Sequence, residues 1–205
     1  MIEVFADVVC PFTHVGLKRL VAHRELVGRR DVALKVRSWP LELVNGEPLS
    51  RELLTEEIAE LRASVAADLF AGFDPSLFPL SSLRALALTN RAYRVSAQHG
   101  ELVSLALRDA LFEQGRDISD HTELAAIGAA VGVGEPDAAD EAAVLDDLEA
   151  GRSRGVIGSP HFFVDSGDFF CPTLSIRRVH GHMQITFDAE GFRTFSRRCF
   201  EPDHR

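Results

Sequence analysis

One stretch constrains the fold of this chain more than any other: the residues from Asp7 to Gly16, DVVCPFTHVG. It follows an apolar run of high β-propensity, Ile2 to Phe5, and it leads into a helix-like pattern, Leu17 to Leu26. Pro11 suits the first turn of a helix, because no backbone N–H is needed there. The stretch therefore predicts a strand that runs into a helix, with Cys10 at the helix N-terminus.

A cysteine at that position has a distinct chemistry. The unpaired N–H groups and the dipole at a helix N-terminus favour a thiolate over a thiol. We therefore expect the pKa of Cys10 to fall from about 8.5 toward neutrality, and we predict Cys10 as the nucleophile. Thr13 lies one helical turn later, where its hydroxyl can donate to the sulfur. The alternatives are a buried structural cysteine and a threonine that only caps the helix.

The composition argues against several classes of protein. Of the 205 residues, 46% are apolar, which suits a globular core and not a disordered chain. The net charge of −9 argues against binding to nucleic acid or to an anionic membrane surface. No apolar run reaches the length of a membrane span, and no basic leader precedes the first apolar stretch, so we expect no signal peptide. We therefore predict a cytoplasmic protein.

The chain has three cysteines, Cys10, Cys171 and Cys199. Their spacing matches no zinc motif, and an odd number does not make a disulfide framework. The sequence thus predicts no metal site. In a reducing compartment each cysteine is either a buried apolar residue or a reactive thiol, and we expect Cys199 to be the former.

The order of elements after the first helix indicates the fold class. Alternating residues from Asp31 to Trp39 predict a second strand, which should pair in parallel with the first in a βαβ unit. The region after Pro48 carries no strand signal and is predicted as four or five helices. Their ranges are 51–70, 81–98 with a break at His99-Gly100, 101–112, 119–130 and 135–154.

Strand patterns then return. Pro160 to Val164 and Phe169 to Cys171 predict a hairpin around a four-residue turn, Asp165 to Asp168. In that register Val164 pairs with Phe169, Phe163 with Phe170, and Phe162 with Cys171. A short strand, His182 to Phe187, and a helix, Ala189 to about Phe200, complete the chain.

With the helical block removed, the order β, α, β, β, β, α is that of a thioredoxin. We therefore predict an α/β protein with a thioredoxin-like fold and an all-helical insertion subdomain. The predicted boundaries are 1–48 and 155–205 for the thioredoxin-like domain and 49–154 for the insertion. The inserted helices should cover one side of the active site.

Three motifs in this order resemble the DsbA-like thioredoxin superfamily. The first is Cys10-Pro11-Phe12-Thr13 with Gly16, the second is the segment Gly155 to Pro160 (GVIGSP), and the third is Ala110 to Phe112 with Gly115, Ile118 and Ser119. The sequence looks most similar to the branch of FrnE-type oxidoreductases, 2-hydroxychromene-2-carboxylate isomerases and kappa-class glutathione transferases. The resemblance spans nearly the whole chain.

The resemblance implies a set of site residues. The family proline is cis, so Pro160 should pack opposite Cys10 and expose the backbone of Ser159 to an extended substrate. Pro11, Phe12, Ser159, Pro160 and His161 are accordingly predicted to bind substrate. The family typically has a second cysteine where this chain has Thr13, so an internal dithiol cycle within the motif is excluded.

Three further side chains are candidates. His14 and His161 flank the two motifs, and either could assist proton transfer to a leaving thiol, although a histidine near a helix start is more often structural. In the predicted hairpin Cys171 lies near Pro160 and could replace the missing resolving cysteine. That pairing needs Cα atoms within about 7 Å, and packing at the sheet end is the alternative.

The leading functional hypothesis is a thiol-disulfide oxidoreductase that acts through the single Cys10 thiolate. The alternatives are a thiol-dependent transferase or isomerase of the kappa or hydroxychromene type, and a binding module that has lost catalysis. We expect no tightly bound cofactor, a low-molecular-weight thiol as co-substrate, and a small thiol or disulfide as partner. A homodimer remains an open expectation, and the sequence does not name the substrate.

Overall fold

The structure is a computed structural model, and it describes residues 1–179 and 182–201. The strands are β1 (Ile2–Ala6), β2 (Leu34–Ser38), β3 (His161–Val164), β4 (Gly167–Phe170), β5 (Leu174–Val179) and β6 (His182–Phe187). The helices are α1 (Pro11–Leu26), α2 (Leu41–Asn45), α3 (Arg51–Ser64), α4 (Leu83–Val95), α5 (Ala97–Phe112), α6 (His121–Ala130), α7 (Ala138–Ser153) and α8 (Ala189–Phe200). No helix in the described ranges is both long enough and apolar enough to cross a membrane.

A four-stranded sheet in the order β2-β1-β3-β4 forms the centre of the fold. β1 and β2 pair in parallel, as the βαβ pattern predicts, while β3 and β4 run antiparallel to their neighbours. Side chains alternate along β1 because successive residues of a strand point to opposite faces. Ile2, Val4 and Ala6 pack in a cluster with residues of α1 and α8, and Phe5 packs on Trp39 and Leu148.

Six α-helices, α2 to α7, lie between β2 and β3 in the chain, and α3 to α7 agree with the predicted helical block. They share an apolar cluster with the start of the thioredoxin-like part, since Leu54 and Leu111 belong to the same cluster as Val9 and Val15. The helical block is therefore packed against the Cys10 loop. Its treatment as a separate subdomain, 49–154, stays a prediction.

The predicted helix break at His99-Gly100 is wrong. The chain breaks at Ser96, whose extended backbone ends α4 and whose hydroxyl accepts from the His99 amide as the N-cap of α5. Gly100 lies inside α5, at the point where this helix packs closely on the Tyr93 ring. A side chain has no room there, since a Cβ at this position would lie 2.2 Å from the ring. The first inserted helix is also shorter than predicted, since α3 ends at Ser64.

The predicted register of the β3–β4 hairpin is wrong by two residues. Val164 pairs with Gly167 around a two-residue turn, so His161 faces Phe170 and Phe163 faces Asp168. Gly167 permits this shorter turn because it adopts a φ of 141°, which L side chains rarely adopt. Cys171 consequently lies beyond the end of β4.

Two elements carry no signal that the sequence pattern detects. The one-turn helix α2 follows Pro40 directly, and β5 forms a separate two-stranded sheet with β6. The predicted strand from His182 to Phe187 and the predicted C-terminal helix are confirmed, and Asp188 caps that helix by accepting from the Gly191 amide.

Gly100→Ala should lower the free energy of unfolding by about 1–3 kcal/mol, the usual cost of an overpacked core. The Tyr93 ring cannot move away easily, because its hydroxyl donates to the Leu34 carbonyl and accepts from the Val36 amide. The measurement is urea denaturation. Gly134→Ala is the control, since a Cβ at that position meets no atom within 4 Å. Equal stability of the two variants would contradict the assignment of Gly100 to close helix packing.

Candidate active site

Cys10 occupies the N-cap of α1, as the sequence predicts. Its backbone is extended, with φ −82° and ψ 116°, and Pro11 is the first residue of the helix. The Cys10 amide donates to the Asp7 carbonyl at 3.4 Å, which closes a tight turn between β1 and α1. The side chain is only 3% exposed, so the thiol lies beneath the surface.

Ser159 lies against Cys10, although 149 residues separate them in the chain. The Ser159–Pro160 peptide bond is cis. The Cys10 thiol donates to the Ser159 carbonyl with 3.2 Å between sulfur and oxygen. The Asp7 amide donates to the Ser159 hydroxyl at 3.0 Å, so backbone and side chain of Ser159 both bind the Cys10 loop.

Thr13 and Ser159 form a pair of hydroxyl groups beside the sulfur. Their oxygens are 2.8 Å apart, and both side chains are within hydrogen-bonding range of Cys10. Ser159 Oγ already accepts from the Asp7 amide, and one of the two hydroxyls must donate to the other. Whichever does so, one hydroxyl proton of the pair remains to be donated to a Cys10 thiolate.

The expectation of a lowered pKa for Cys10 is contradicted. Burial raises the pKa of Cys10, because removal from water disfavours the charged thiolate. Hydrogen bonds from Thr13 and Ser159 act in the opposite direction but do not outweigh burial. The sequence argument considered the helix N-terminus and could not include the depth at which the thiol lies.

Glu57 on α3 is a charged group that the sequence pattern did not reveal. It follows Glu56, and an acidic pair in a helix is typical of a solvated face. Leu54, Ile58 and Leu61 are buried, however. Glu57 lies three residues after Leu54 and four before Leu61, so it is on the same side of the helix as these two. Burial raises the pKa of Glu57 to about 7, Arg178 opposes that shift, and the Glu57 charge raises the pKa of Cys10.

His14 points into the helical block. Its Nε2 lies 2.7 Å from Glu113 Oε1, and its ring packs between Phe70 and Phe112, with ring centroids 5.2 Å and 4.9 Å away. Glu113 also accepts from the backbone amides of Phe70 and Ala71. These contacts favour a packing role for His14, and its catalytic role stays a prediction without support from this geometry.

His161 is likewise held by neighbours within its own hairpin. Its Nδ1 accepts from the Ile157 amide at 3.3 Å, so Nε2 carries the proton that is donated to Asp168 at 2.8 Å. The ring is 3% exposed and stacks on Phe163. His161 thus fixes the turn before the cis peptide bond, and the contacts do not favour direct substrate binding.

Cys171 lies next to Pro160 even though the predicted register is wrong. Its amide donates to the Pro160 carbonyl at 3.0 Å, and its backbone has a φ of 43°. Burial, together with the smaller effect of the Cys10 charge, raises the pKa of Cys171 to about 12, so the two sulfurs are electrostatically coupled. Cys10, Cys171 and Cys199 are all free thiols, and Cys199 packs in the sheet cluster with α8.

The remaining predicted substrate-binding residues have mixed positions. Pro11 is buried, and Phe12 is half-buried against the apolar cluster of the inserted helices. Two apolar side chains that the sequence analysis missed flank the Ser159–Pro160 bond. Ile157 is 72% exposed and Phe170 is 48% exposed, and the Phe170 ring approaches Gly158 so closely that a Cβ there would lie 2.7 Å away.

Within residues 1–179 and 182–201, no group of three His, Cys, Asp or Glu side chains could hold a metal ion. The arrangement around Cys10 is a buried thiol beside the Thr13 and Ser159 hydroxyls and the cis Ser159–Pro160 bond.

Comparison with known proteins identifies the family of this arrangement. The family described as DSBA-like thioredoxin domain matches residues 1–184. The chain belongs to this family. No curated protein matches the sequence at a significant level.

Several solved structures share the fold. The cytosolic disulfide reductase DsbM from Pseudomonas aeruginosa with GSH has a TM-score of 0.62 at 16% identity, over 82% of this chain and 87% of that chain. A second DsbM structure covers 98% of this chain and 93% of that chain, with a TM-score of 0.56 at 15% identity. A 2-hydroxychromene-2-carboxylate isomerase has a TM-score of 0.62 at 13% identity, over 82% of this chain and 87% of that chain. At these identities the likeness concerns the DSBA-like fold alone.

Glu57→Gln should lower the pKa of Cys10, because it removes a negative charge that disfavours the thiolate. Since Glu57 is protonated well below its pKa of about 7, the rate difference from wild type should appear mainly above pH 7. The measurement is the pH dependence of Cys10 alkylation, followed by mass spectrometry of the Cys10 peptide. Glu56→Gln, at an exposed neighbouring position, is the control. An unchanged or higher midpoint in Glu57→Gln would contradict the placement of Glu57 beside the thiol.

Glu113→Gln should lower the free energy of unfolding at neutral pH, and it should lower it by a smaller amount at acidic pH. Burial alone would raise the pKa of Glu113, but hydrogen bonds from His14 and from the Phe70 and Ala71 amides lower it to about 2. A carboxylate with a depressed pKa stabilises the fold above its unfolded pKa of about 4.5, and this contribution is lost as the pH falls toward 2. The stability difference between wild type and variant should therefore shrink between pH 5 and pH 2 in urea titrations. A difference that stays constant over this range would refute the assignment.

Proposed function

We propose that this chain is a thiol-disulfide oxidoreductase that acts through the single thiolate of Cys10. The observation that carries the proposal is the position of the Cys10 sulfur at the N-terminus of α1, 3.2 Å from the Ser159 carbonyl of the cis-proline loop. Membership of the DSBA-like family supports redox chemistry at this position. Thr13 stands where the family typically has a second cysteine, so the cycle needs another thiol.

The proposed reaction is an exchange in two steps. The Cys10 thiolate attacks one sulfur of a substrate disulfide, forms a mixed disulfide with it, and releases the other half as a thiolate that takes up a proton. A small thiol, as its thiolate, then attacks the mixed disulfide and regenerates the Cys10 thiolate. The net change exchanges one thiol for another across a disulfide, and no external oxidant is consumed.

Substrate binding itself would activate the buried thiol. In the free protein the Ser159 carbonyl accepts a hydrogen bond from the Cys10 thiol, which stabilises the uncharged form. A peptide-like N–H that binds this carbonyl displaces the thiol from it, as in strand addition to an exposed backbone. The free hydroxyl proton of the Thr13–Ser159 pair is then donated to the thiolate that forms. Ile157 and Phe170 offer an apolar rim to the same substrate.

A low-molecular-weight thiol of the glutathione class is the proposed co-substrate, with no tightly bound cofactor. The solved DsbM structure with GSH, a protein described as a cytosolic disulfide reductase, supports this class of partner and a cytoplasmic location. The three free cysteines suit a reducing compartment. Homodimer formation and the absence of nucleic acid partners stay predictions.

A transferase or isomerase is the second candidate, and one observation favours it. The raised pKa of Cys10 leaves it a weak nucleophile, so the same pocket could instead activate a bound small thiol. Fold similarity to the 2-hydroxychromene-2-carboxylate isomerase is compatible with this alternative.

Cys10→Ser should abolish turnover of a mixed disulfide between glutathione and a cysteine-containing peptide, because serine cannot form the intermediate. The assay follows peptide thiol release with excess glutathione, and mass spectrometry of the wild type should reveal a disulfide adduct on Cys10. Cys199→Ser is the matched control, since it removes a thiol that packs away from the site, and it should keep wild-type activity. Full activity in Cys10→Ser would refute the oxidoreductase and leave the transferase.

Cys171 is retained as a proposed alternative resolving thiol, because it lies beside Pro160 and is coupled to Cys10. If it resolves the intermediate, Cys171→Ser should accumulate the Cys10 adduct, and oxidised wild type should yield a Cys10–Cys171 linked peptide. Its pKa of about 12 makes the external thiol the favoured resolving group. We therefore expect no such linked peptide and an unchanged rate in Cys171→Ser.

A further inference from the structure

A buried arginine lies behind the Cys10 loop, and the sequence analysis assigned it no role. Arg108 belongs to α5 and is 1% exposed, which makes it the largest fully buried side chain in the described part of the protein. Its Nη2 donates to the Asp7 carbonyl at 3.1 Å. The same carbonyl accepts from the Cys10 amide, so the guanidinium and the cysteine backbone meet at one oxygen.

The hydrogen bonds of Arg108 leave its charge without a direct counter-ion. Nη1 donates to the carbonyl and to the hydroxyl of Ser104, at 2.8 and 2.6 Å, and Nη2 donates to a backbone carbonyl. None of these acceptors is a carboxylate, and Nε has no partner among the residues that the structure describes. A buried cation without a paired anion is costly, and several kcal/mol are typically lost in its desolvation.

Two anions are close enough to offset this charge. The first is the Asp7 carboxylate, which has the larger effect on Arg108 and which accepts from the Val9 and Leu41 amides at 3.3 and 2.6 Å. The second is the Cys10 thiolate. Burial lowers the pKa of Arg108, and the charges of Asp7 and Cys10 offset part of this effect, so that the pKa is about 10. Coupling between two charges is reciprocal, so a cation stabilised by the thiolate stabilises that thiolate equally.

We propose that Arg108 is the counter-ion of the Cys10 thiolate, a positioning residue that acts from behind the loop and never touches substrate. It holds the turn through the Asp7 carbonyl and supplies a positive charge that offsets the burial of the sulfur anion. The proposal deepens the proposed function, on which it rests only in taking Cys10 as the reacting thiol.

The groups that face this pair come from several elements. Around Arg108 they are Asp7 in the β1–α1 loop, Tyr93 on α4 and Asp109 on its own helix, and around Cys10 they are Glu57 on α3 and Cys171 after β4. The neighbours of Cys10 apart from Arg108 are acids, whose charges disfavour a thiolate. Arg108, which is held at the Asp7 carbonyl of the same turn, is the cation among these groups.

The test is the pH dependence of Cys10 alkylation by iodoacetamide in the full chain, resolved by mass spectrometry of the Cys10 peptide. Arg108→Gln removes the charge and keeps an amide donor for the Asp7 carbonyl, while Arg108→Lys keeps the charge. We expect the midpoint in Arg108→Gln to rise by about one pH unit or more, a tenfold loss of thiolate at pH 7. The midpoint in Arg108→Lys should stay within about 0.3 pH units of the wild-type midpoint, a small fraction of that shift.

Two further variants separate the effect of the Arg108 charge on the alkylation midpoint from an effect on folding. Arg24→Met removes another well-buried arginine that binds α5 through Glu101, and it should lower the melting temperature without moving the midpoint. Arg108→Met, which matches much of the side-chain volume, replaces Arg108→Gln if the latter does not fold. Equal shifts in the lysine and neutral variants, or no shift in either, would overturn the proposal. Failure of the proposed function would appear as absent turnover in wild type, and it would leave this comparison of ionisation intact.

Discussion

The contact between Ser159 and the Cys10 loop is the constraint on which the rest of the structure depends. Three groups of that loop converge on one residue, since the Asp7 amide, the Thr13 hydroxyl and the Cys10 thiol all bind Ser159. The contact joins segments that are 149 residues apart. The β1–β3 pairing that brings these segments together must therefore form despite the seven α-helices, α1 to α7, that lie between the two strands, and those helices have to pack without displacing either segment.

The inserted helices do more than cover the site. Glu113 at the end of α5 binds His14 on α1, and Arg108 from the same helix binds the Asp7 carbonyl. One helix thus fixes both the first turn of α1 and the loop that precedes it. Because the apolar cluster also runs from the helical block into Val9 and Val15, movement of the block would change the surroundings of the thiol directly.

Local patterns were sufficient to predict the parts of the site that are local in sequence. Pro11 marked the helix start and placed Cys10 at the N-cap, and the segment that ends at Pro160 indicated the opposing loop through its family resemblance. The sequence could not predict how deeply individual side chains are buried. The pKa of Cys10 is governed by burial, and Glu57 faces inward although it lies next to an exposed glutamate.

The other failures have the same origin, because tertiary contacts outweighed local signals. Gly100 looked like a helix break and is instead the site where α5 packs on Tyr93. Asp168 looked like part of a turn, but its carboxylate pairs with His161 and draws the residue into β4. Arg108 gave no signal, since one arginine in a helix of mixed composition is ordinarily exposed.

A buried thiol with a raised pKa looks unsuited to catalysis, yet the geometry of the site offers a way for substrate binding to favour its ionisation. In the resting state the Cys10 thiol donates a hydrogen bond to the Ser159 carbonyl, and its burial limits the access of oxidants to the sulfur. A substrate that binds this carbonyl removes the acceptor of that hydrogen bond, while the Thr13–Ser159 hydroxyl pair and the guanidinium of Arg108 are already in place for the anion. In the proposed function the stabilising groups are thus preorganised, and binding of the substrate would trigger ionisation of the thiol. Reactivity would then be coupled to binding, so the thiolate would form chiefly when a disulfide is present to attack.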